Sequence, residues 1–338
     1  MIEFDVTGKE RVKRRYFIKK GFVLSAVSFI SAPLISNKLR AFAQSPITAS
    51  DKPDPLSWKS EDINIAWIGH ATVLINFFGT IILTDPILFD RVGIYFWGLI
   101  IGPNRYTHPA LTIDEIPKPD LVLLSHAHMD HMDYKTLLAL TEKFPGQLDC
   151  LTAYNTRDVI EELNWKSLQE IDWNEEIGIH DIHIRAIEVK HFGWRFPWEH
   201  DRSRGYFDDG RSYNAYLLEK KKKKILFGGD TAYTQKFREA KLMDIDVAIM
   251  PIGAYRPWKW NHCNPEEALF MADEHIKAKY FVPIHCNTFK QGIEPLDEPL
   301  RWLHESKDSY SLTVGVGAIG QTLTLTNGTN YEDELGGE

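Results

Sequence analysis

Hydrophobic positions fall in short blocks from residue 63 onward. Ile63–Ile68, Thr72–Phe78 and Thr80–Thr84 are rich in Ile, Val, Leu and Thr and predict three strands, with Gly79 at a tight turn. Leu121–Ser125 is a short apolar run, suited to a strand covered on both faces. Further strands are predicted over Leu148–Ala153, Ile182–Val189, Tyr213–Glu219, Ile225–Phe227, Val247–Pro251 and Tyr280–Ile284. Tyr134–Phe144, Thr156–Leu163 and Arg301–Glu305 carry helical patterns. Pro265 opens another helix, to Ile276, with Glu266 and Glu267 near its positive end. Ser311–Val316 and Gln321–Thr326 read as a closing strand pair. Strands followed by helices, twice over, predict an α/β chain of sheets sandwiched by helices, in one domain over residues 61–326.

The flanks read differently. Residues 13–19 are K-R-R-Y-F-I-K, Gly21–Asn37 is uncharged and largely apolar, and Ala41-Phe42-Ala43 precedes Gln44. A basic front, an apolar middle and a small-residue A-x-A end predict a signal peptide over residues 1–43. Arg14-Arg15 with Phe17 and Lys19 resembles the twin-arginine export signal, which implies the twin-arginine translocase as a partner and the periplasm as destination. The apolar stretch is short and Ser-rich for a membrane span, which needs about 20 apolar residues. Residues 44–60 form a polar, Pro-rich linker, and 327–338 a Gly- and acid-rich loose tail.

Charge sharpens the division. The 338 residues carry 39 Lys+Arg and 47 Asp+Glu, a net charge of -8. The first 43 hold 9 basic and 3 acidic residues, so the remainder holds 30 against 44, or -14. An acidic body excludes a general nucleic-acid binder, which needs a basic face. Cys150, Cys263 and Cys286 lack C-x-x-C spacing and are too few for a disulfide framework.

Chemistry concentrates in histidines. Residues 126–131 read H-A-H-M-D-H directly after the apolar strand. Three imidazoles and a carboxylate in six residues cannot be core filler, because each would need a buried polar partner. Zinc accepts imidazole nitrogen and carboxylate oxygen at about 2.0–2.2 Å. His126 and His128 reach one ion, and Asp130 and His131, on the next turn, reach a second. His191, Asp230 and His285 stand just past the ends of other predicted strands. Each alone reads as a structural residue; together they complete a ligand set of five histidines and two aspartates.

The order W-I-G-H-A-T-V (67–73), T-D-P-I (84–87), G-P-N-R-Y (102–106), L-S-H-A-H-M-D-H-M-D-Y (124–134), F-G-G-D-T-A-Y (227–233), P-I-G-A-Y-R-P (251–257) and N-P-E-E-A (264–268) resembles the metallo-β-lactamase fold superfamily. Within it, the match is to the N-acyl-phosphatidylethanolamine-hydrolysing phospholipase D branch, over roughly residues 60–290. The resemblance implies an αββα four-layer sandwich with two Zn2+ per chain between the sheets. It assigns His126, His128 and His191 to one zinc, Asp130, His131 and His285 to the other, and Asp230 to the bridge. The stretch Phe192–Ser212 matches poorly.

Two zinc ions would hold a hydroxide at neutral pH for attack on an electrophile, a phosphodiester above all, with Asp130 and Asp230 as catalytic carboxylates around it. His70 and Asp85 are expected to fix zinc ligands. His262 is assigned either to substrate phosphate or to helix entry. The apolar run 92–101 is either core-covering or a lip at a lipid surface, with Tyr95, Phe96 and Trp97 as the lipid contacts. Lys220–Lys224 reads as a solvated hairpin tip. The leading expectation is a dizinc phospholipase D-type phosphodiesterase acting on a phospholipid, in peripheral contact with a membrane. The alternatives are a lactonase or small-molecule phosphodiesterase of the same fold, and a zinc-binding envelope protein without catalysis.

Overall fold

The computed structural model describes residues 47–96 and 99–326. The leader at 1–43, Trp97 of the lipid-contact set, and the tail at 327–338 lie outside the described residues. Chain order begins with β1 (Ile63–Gly69), β2 (Thr72–Phe77) and β3 (Thr80–Thr84). A small hairpin follows, β4 (Ile94–Phe96) with β5 (Leu99–Ile101). Then come β6 (Leu121–Leu123), β7 (Asp149–Ala153) and β8 (Ser167–Ile171). The second half holds β9 (Glu176–Ile179), β10 (Ile182–Glu188), β11 (Asn214–Lys220), β12 (Lys223–Phe227), β13 (Val247–Pro251), β14 (Tyr280–Ile284) and β15 (Thr313–Val314). The last strand, β16 (Thr322–Leu325), returns to the first half. Two seven-stranded sheets result, ordered β16-β1-β2-β3-β6-β7-β8 and β15-β14-β13-β12-β11-β10-β9.

Strand side chains alternate between faces, and here both faces are apolar. Ile63, Ile65 and Trp67 of β1 and Val73, Ile75 and Phe77 of β2 join Ile184 and Ala186 of β10 and Ile225 and Phe227 of β12 in the core between the sheets. Ala66, Ile68, Leu74, Leu83 and Val122 point the other way, onto Leu137 and Leu140 of helix α1 (Tyr134–Lys143). Two sheets face to face with helices outside are the αββα sandwich. Helix α2 (Pro265–Phe270) starts on a capping box between Asn264 and Glu267 and runs on to Ile276 as a wider π turn. Helix α3 (Glu298–Ser306) covers the 301–305 prediction.

Three expectations are corrected. Thr156–Leu163 holds only a 3-10 turn at Arg157–Val159. The backbone bonds there run three residues apart, Val159 N to the Thr156 carbonyl, Ile160 N to that of Arg157 and Leu163 N to that of Ile160, so tight turns form in place of an α-helix. The two C-terminal strands do not pair with each other: β15 adds to β14 in one sheet and β16 to β1 in the other. From Ile47 onward the linker is docked, with Ile47 bridged to Thr107, Ser50 Oγ donating to the Ile319 carbonyl and Pro53 buried. The lysine run is a hairpin tip, with Lys221 and Lys222 at positive φ in the β11–β12 turn. Among the described residues no helix is long and apolar enough to cross a membrane.

Candidate metal centre

The residues of the site sit in loops that follow strand ends, apart from His262, which stands just before helix α2. His70 follows β1, Asp85 follows β3, and His126 comes three residues after β6. His191, Asp230 and His285 come after β10, β12 and β14. The C-terminal edges of α/β sheets are where such folds collect ligands. Three of these residues, His70 (φ 52), Asp85 (φ 33) and His285 (φ 61), have left-handed backbone, a costly conformation for side chains of this kind. His285 N donates to the His70 carbonyl at 2.9 Å, so these two hold each other across the sheets. Gly229, at φ 55, lets Asp230 approach: a Cβ there would lie 2.8 Å from Ser125 Cβ and 2.9 Å from the Asn214 carbonyl oxygen.

The side chains converge in two linked groups. His126 Nε2 lies 2.8 Å from His128 Nδ1, which lies 3.2 Å from His191 Nε2. The second group gathers His70, Asp130, His131 and His285. Asp130 Oδ2 accepts from His70 Nε2 at 3.1 Å and His285 Nε2 at 3.2 Å. Asp230 stands between the groups, its Oδ2 3.0 Å from His131 Nε2, 3.1 Å from His285 Nε2 and 3.8 Å from His191 Nε2. His262 joins His191 and Asp230, with Nδ1 3.7 Å from the carboxylate.

The outer contacts fix which nitrogen faces inward. Asp85 Oδ2 takes His131 Nδ1 at 2.6 Å, and its other oxygen takes Ser125 N at 2.7 Å. Ser125 Oγ donates to Asp85, so it accepts from His126 Nδ1 at 2.9 Å. His191 Nδ1 donates to the Asn261 carbonyl at 2.9 Å. Nε2 of His126, His131 and His191 is thereby turned toward the centre, the arrangement that metal-ligating imidazoles require.

Electrostatics agree. Burial, then neighbouring histidines, push His126 well below its ordinary range and His128 and His70 down to about 3. Burial also lowers His191 and His262. Neutral imidazole is the ligating form. Burial opposes charge on Asp130 and Asp230, but the imidazoles, His131 foremost, outweigh it and hold both carboxyls well below the usual range. Burial likewise opposes charge on His285 and His131; Asp230 and Asp130 outweigh it, lifting His285 to about 9 and His131 well above its ordinary value.

The donor set fits metal ions. Neither oxygen of buried Asp230 has a partner in hydrogen-bond geometry, and His131 Nε2 and His262 Nδ1, which face it, are likewise buried without one. Buried polar atoms are rarely left so, and a cluster of them marks a place for an ion. A dication here would supply the positive charge that otherwise falls to His131 and His285.

All seven expected ligands, together with His70, Asp85 and His262, thus meet in one place. The structure adds residues that carry no motif. Gln291 Nε2 donates to Asp130 Oδ2 at 2.5 Å. Phe192 packs on the His128 ring at 4.3 Å, and Arg195 reaches the ligand loop. Only position, a few residues beyond His285 and His191, hints at them in sequence. Around the mouth, Trp258 (52% exposed), Trp260 (67%) and Ile293 (73%) face solvent, with Lys190 and Lys259 over the Trp260 ring. In the β4–β5 hairpin, Ile94 and Ile101 are exposed, whereas Tyr95 stacks on Tyr134 at 5.6 Å.

Comparison with known proteins agrees with this geometry. Residues 80–286 match the beta-lactamase superfamily domain. An uncharacterized protein of Mycobacterium tuberculosis is 30% identical over 274 residues, covering 78% of this chain and 68% of that protein. The N-acyl-phosphatidylethanolamine-hydrolyzing phospholipase D 1 of Caenorhabditis elegans is 28% identical over 281 residues, 75% of this chain and 74% of its own. Among solved structures, a metallo hydrolase of the archaeon Ignicoccus hospitalis superposes with a TM-score of 0.55 at 18% identity, covering 79% of this chain and all of that one.

Proposed function

The chain belongs to the metallo-β-lactamase superfamily, in the branch of the N-acyl-phosphatidylethanolamine-hydrolysing phospholipases D, and from that premise we propose that it is a dizinc phosphodiesterase acting on N-acyl-phosphatidylethanolamine or a related phospholipid. The observation that carries the dinuclear reading is Asp230, a buried carboxylate between two imidazole groups with both oxygens unpaired. His126, His128 and His191 would hold one ion, and Asp130, His131 and His285 the other. When bound, two zinc ions supply a water activated at neutral pH and stabilise charge on the phosphoryl oxygens.

The protein's own groups set up the rest. Asp85 and Ser125 hold His131 and His126 in one tautomer. Gln291 and His70 fix the Asp130 carboxylate from one side, which leaves its other oxygen to orient the attacking water. Two imidazoles of the site stand outside the seven-residue set: His70 is engaged by Asp130, and His262 is the group assigned to the phosphate. The exposed tryptophans and lysines at the mouth support a lipid substrate, because aromatic rings and ammonium groups suit the boundary of an anionic bilayer. The reading includes export to the periplasm by the twin-arginine route, on the strength of Arg14-Arg15 and Ala41-Phe42-Ala43.

The test is turnover by the purified zinc-loaded protein of N-acyl-phosphatidylethanolamine, phosphatidylcholine, lactones and bis-nitrophenyl phosphate, run in 18O-labelled water. We expect label in the phosphatidic acid released, with two zinc ions per chain by metal analysis, and both lost in Asp230→Asn. Turnover of lactones with no action on any phosphodiester overturns the substrate assignment; one ion or fewer in a fully active sample overturns the dinuclear one.

A further inference from the structure

The segment after His191 matches the family motifs poorly, yet it crosses directly over the ligand loop. Phe192 lies against His128, and Trp194 follows at 6.3 Å from the same ring. Arg195 Nη1 then donates to two backbone carbonyls, Ala127 at 2.6 Å and Met132 at 3.1 Å. These carbonyls bracket the stretch that carries His128, Asp130 and His131. Within it, His131 N and Met132 N both donate to the His128 carbonyl, at 3.0 and 2.8 Å. The stretch is therefore a tight turn, and one guanidinium ties its two ends together.

Arg195 is itself held. Its backbone N–H donates to Glu199 Oε2 at 2.7 Å. Glu199 pairs through both oxygens with Arg211, at 2.9 Å each. Arg211 also pairs with Asp158 and donates to the Asn155 carbonyl at 2.7 Å, beyond the end of β7. A chain of ion pairs and hydrogen bonds thus runs from the turn after β7, through the 192–212 segment, to the ligand loop. An arginine's planar, rotamer-rich side chain is a costly way to satisfy two carbonyls that solvent or a backbone amide would serve. The arrangement makes sense if the distance between those carbonyls matters.

We propose that Arg195 is a positioning residue for the metal centre: it sets His128 of one ligand group against Asp130 and His131 of the other, and the 192–212 segment is a clasp that shapes the ligand loop before an ion arrives. The proposal rests on the metal-centre reading above. A relaxed loop would still present every ligand, but would have to be ordered each time an ion binds.

The experiment compares native protein, Arg195→Met, which keeps the stem and loses the donors, and Arg195→Lys, which keeps one ammonium. Each is stripped of metal and titrated with Zn2+ against a chromophoric chelator, and the metal-free melting temperature is measured beside it. The expected result is a ten- to hundredfold weaker Zn2+ affinity for Arg195→Met, the range for residues that support metal ligands, and an intermediate loss for Arg195→Lys. The melting temperature of metal-free Arg195→Met should fall by far less than such a loss implies. A purely structural arginine would lower the melting temperature and leave the affinity of the folded fraction unchanged; that outcome overturns the proposal. If Arg195→Met does not fold, native affinity in Arg195→Lys overturns it. Amide exchange on the metal-free native protein decides independently: protection of His131 and Met132 is expected, and exchange at the rate of open loops refutes a preformed turn. Failure of the native protein to take up Zn2+ would instead strike the metal-centre reading.

Discussion

Acid should weaken the metal-free protein steeply below neutral pH, and the amount follows from His70. This imidazole is buried at the end of β1 and driven to about 3 by burial and His285, against about 6.5 in the unfolded chain. A histidine with a depressed folded value contributes stability above the unfolded value, and the contribution is lost as pH falls from 6.5 toward 3. Between pH 6.5 and 5.0 the unfolded chain takes up a proton that the folded one refuses. At about 1.4 kcal/mol per unit, His70 alone costs roughly 2 kcal/mol over that interval. His128 is driven equally low, but it is partly exposed at the mouth and adds less. Depressed His126, His191 and His262 act in the same direction. His285 acts oppositely: its contribution is complete below 6.5 and lost as pH rises toward about 9. Stability of the metal-free protein should therefore peak near neutrality. The assay is urea unfolding of chelator-treated protein at half-unit steps from pH 5 to 9, with His70→Gln alongside. The substitution should remove about 1.4 kcal/mol per pH unit from the acid slope. A flat profile from 6.5 to 5, or an unchanged slope in His70→Gln, would refute the electrostatic account.

Three further outcomes are expected. Asp85→Asn should lower metal affinity and hydrolysis ten- to hundredfold while the fold persists, because it loosens His131 without removing a ligand; equilibrium dialysis with the metal and circular dichroism check this. Ile94→Ser with Ile101→Ser should move stability by no more than about 0.5 kcal/mol per site, since both are exposed, while binding to anionic vesicles falls and cleavage of a soluble phosphodiester stays the same; vesicle sedimentation unaffected by the pair would remove the hairpin from any lipid contact. Replacing Arg14-Arg15 by Lys-Lys should hold the precursor in the cytoplasm, read by fractionation.

What the sequence made legible depended on whether neighbours in space were neighbours in the chain. The H-A-H-M-D-H run is contiguous and follows an unambiguous apolar strand, so four donors were plain at once. His70, Asp85, His191, Asp230 and His285 were legible because each comes soon after a predicted strand. Arg195 was not, since its side chain answers to backbone carbonyls and backbone carries no sequence signal. Gln291 was not, because its partner Asp130 lies 161 residues away. Strands β8 and β9, at the outer edge of each sheet, read S-L-Q-E-I and E-I-G-I; only their last residues, Ile171 and Ile179, are buried, and the alternation is too short to stand out. The closing strands looked like a hairpin because they are adjacent in sequence, yet β1 and β14 were both open edges waiting for a partner.

The division of the ligands between the layers has a mechanical consequence. His126, His128, Asp130 and His131 hang from one sheet, while His191, Asp230 and His285 hang from the other. An ion held by this set rivets the two halves together at one rim of the sandwich. Prying the layers apart from that side then requires metal–ligand bonds to break, whereas the opposite rim is crossed by hydrogen bonds such as Lys220 Nζ to Thr80 Oγ1 at 2.6 Å and His180 Nε2 to Asp149 Oδ2 at 2.7 Å. Binding to the folded state alone adds about 4 kcal/mol when free ion exceeds its dissociation constant a thousandfold. The lifetime of the folded chain should thus track the free-metal level of its surroundings, and metal starvation should open the molecule at its catalytic edge first.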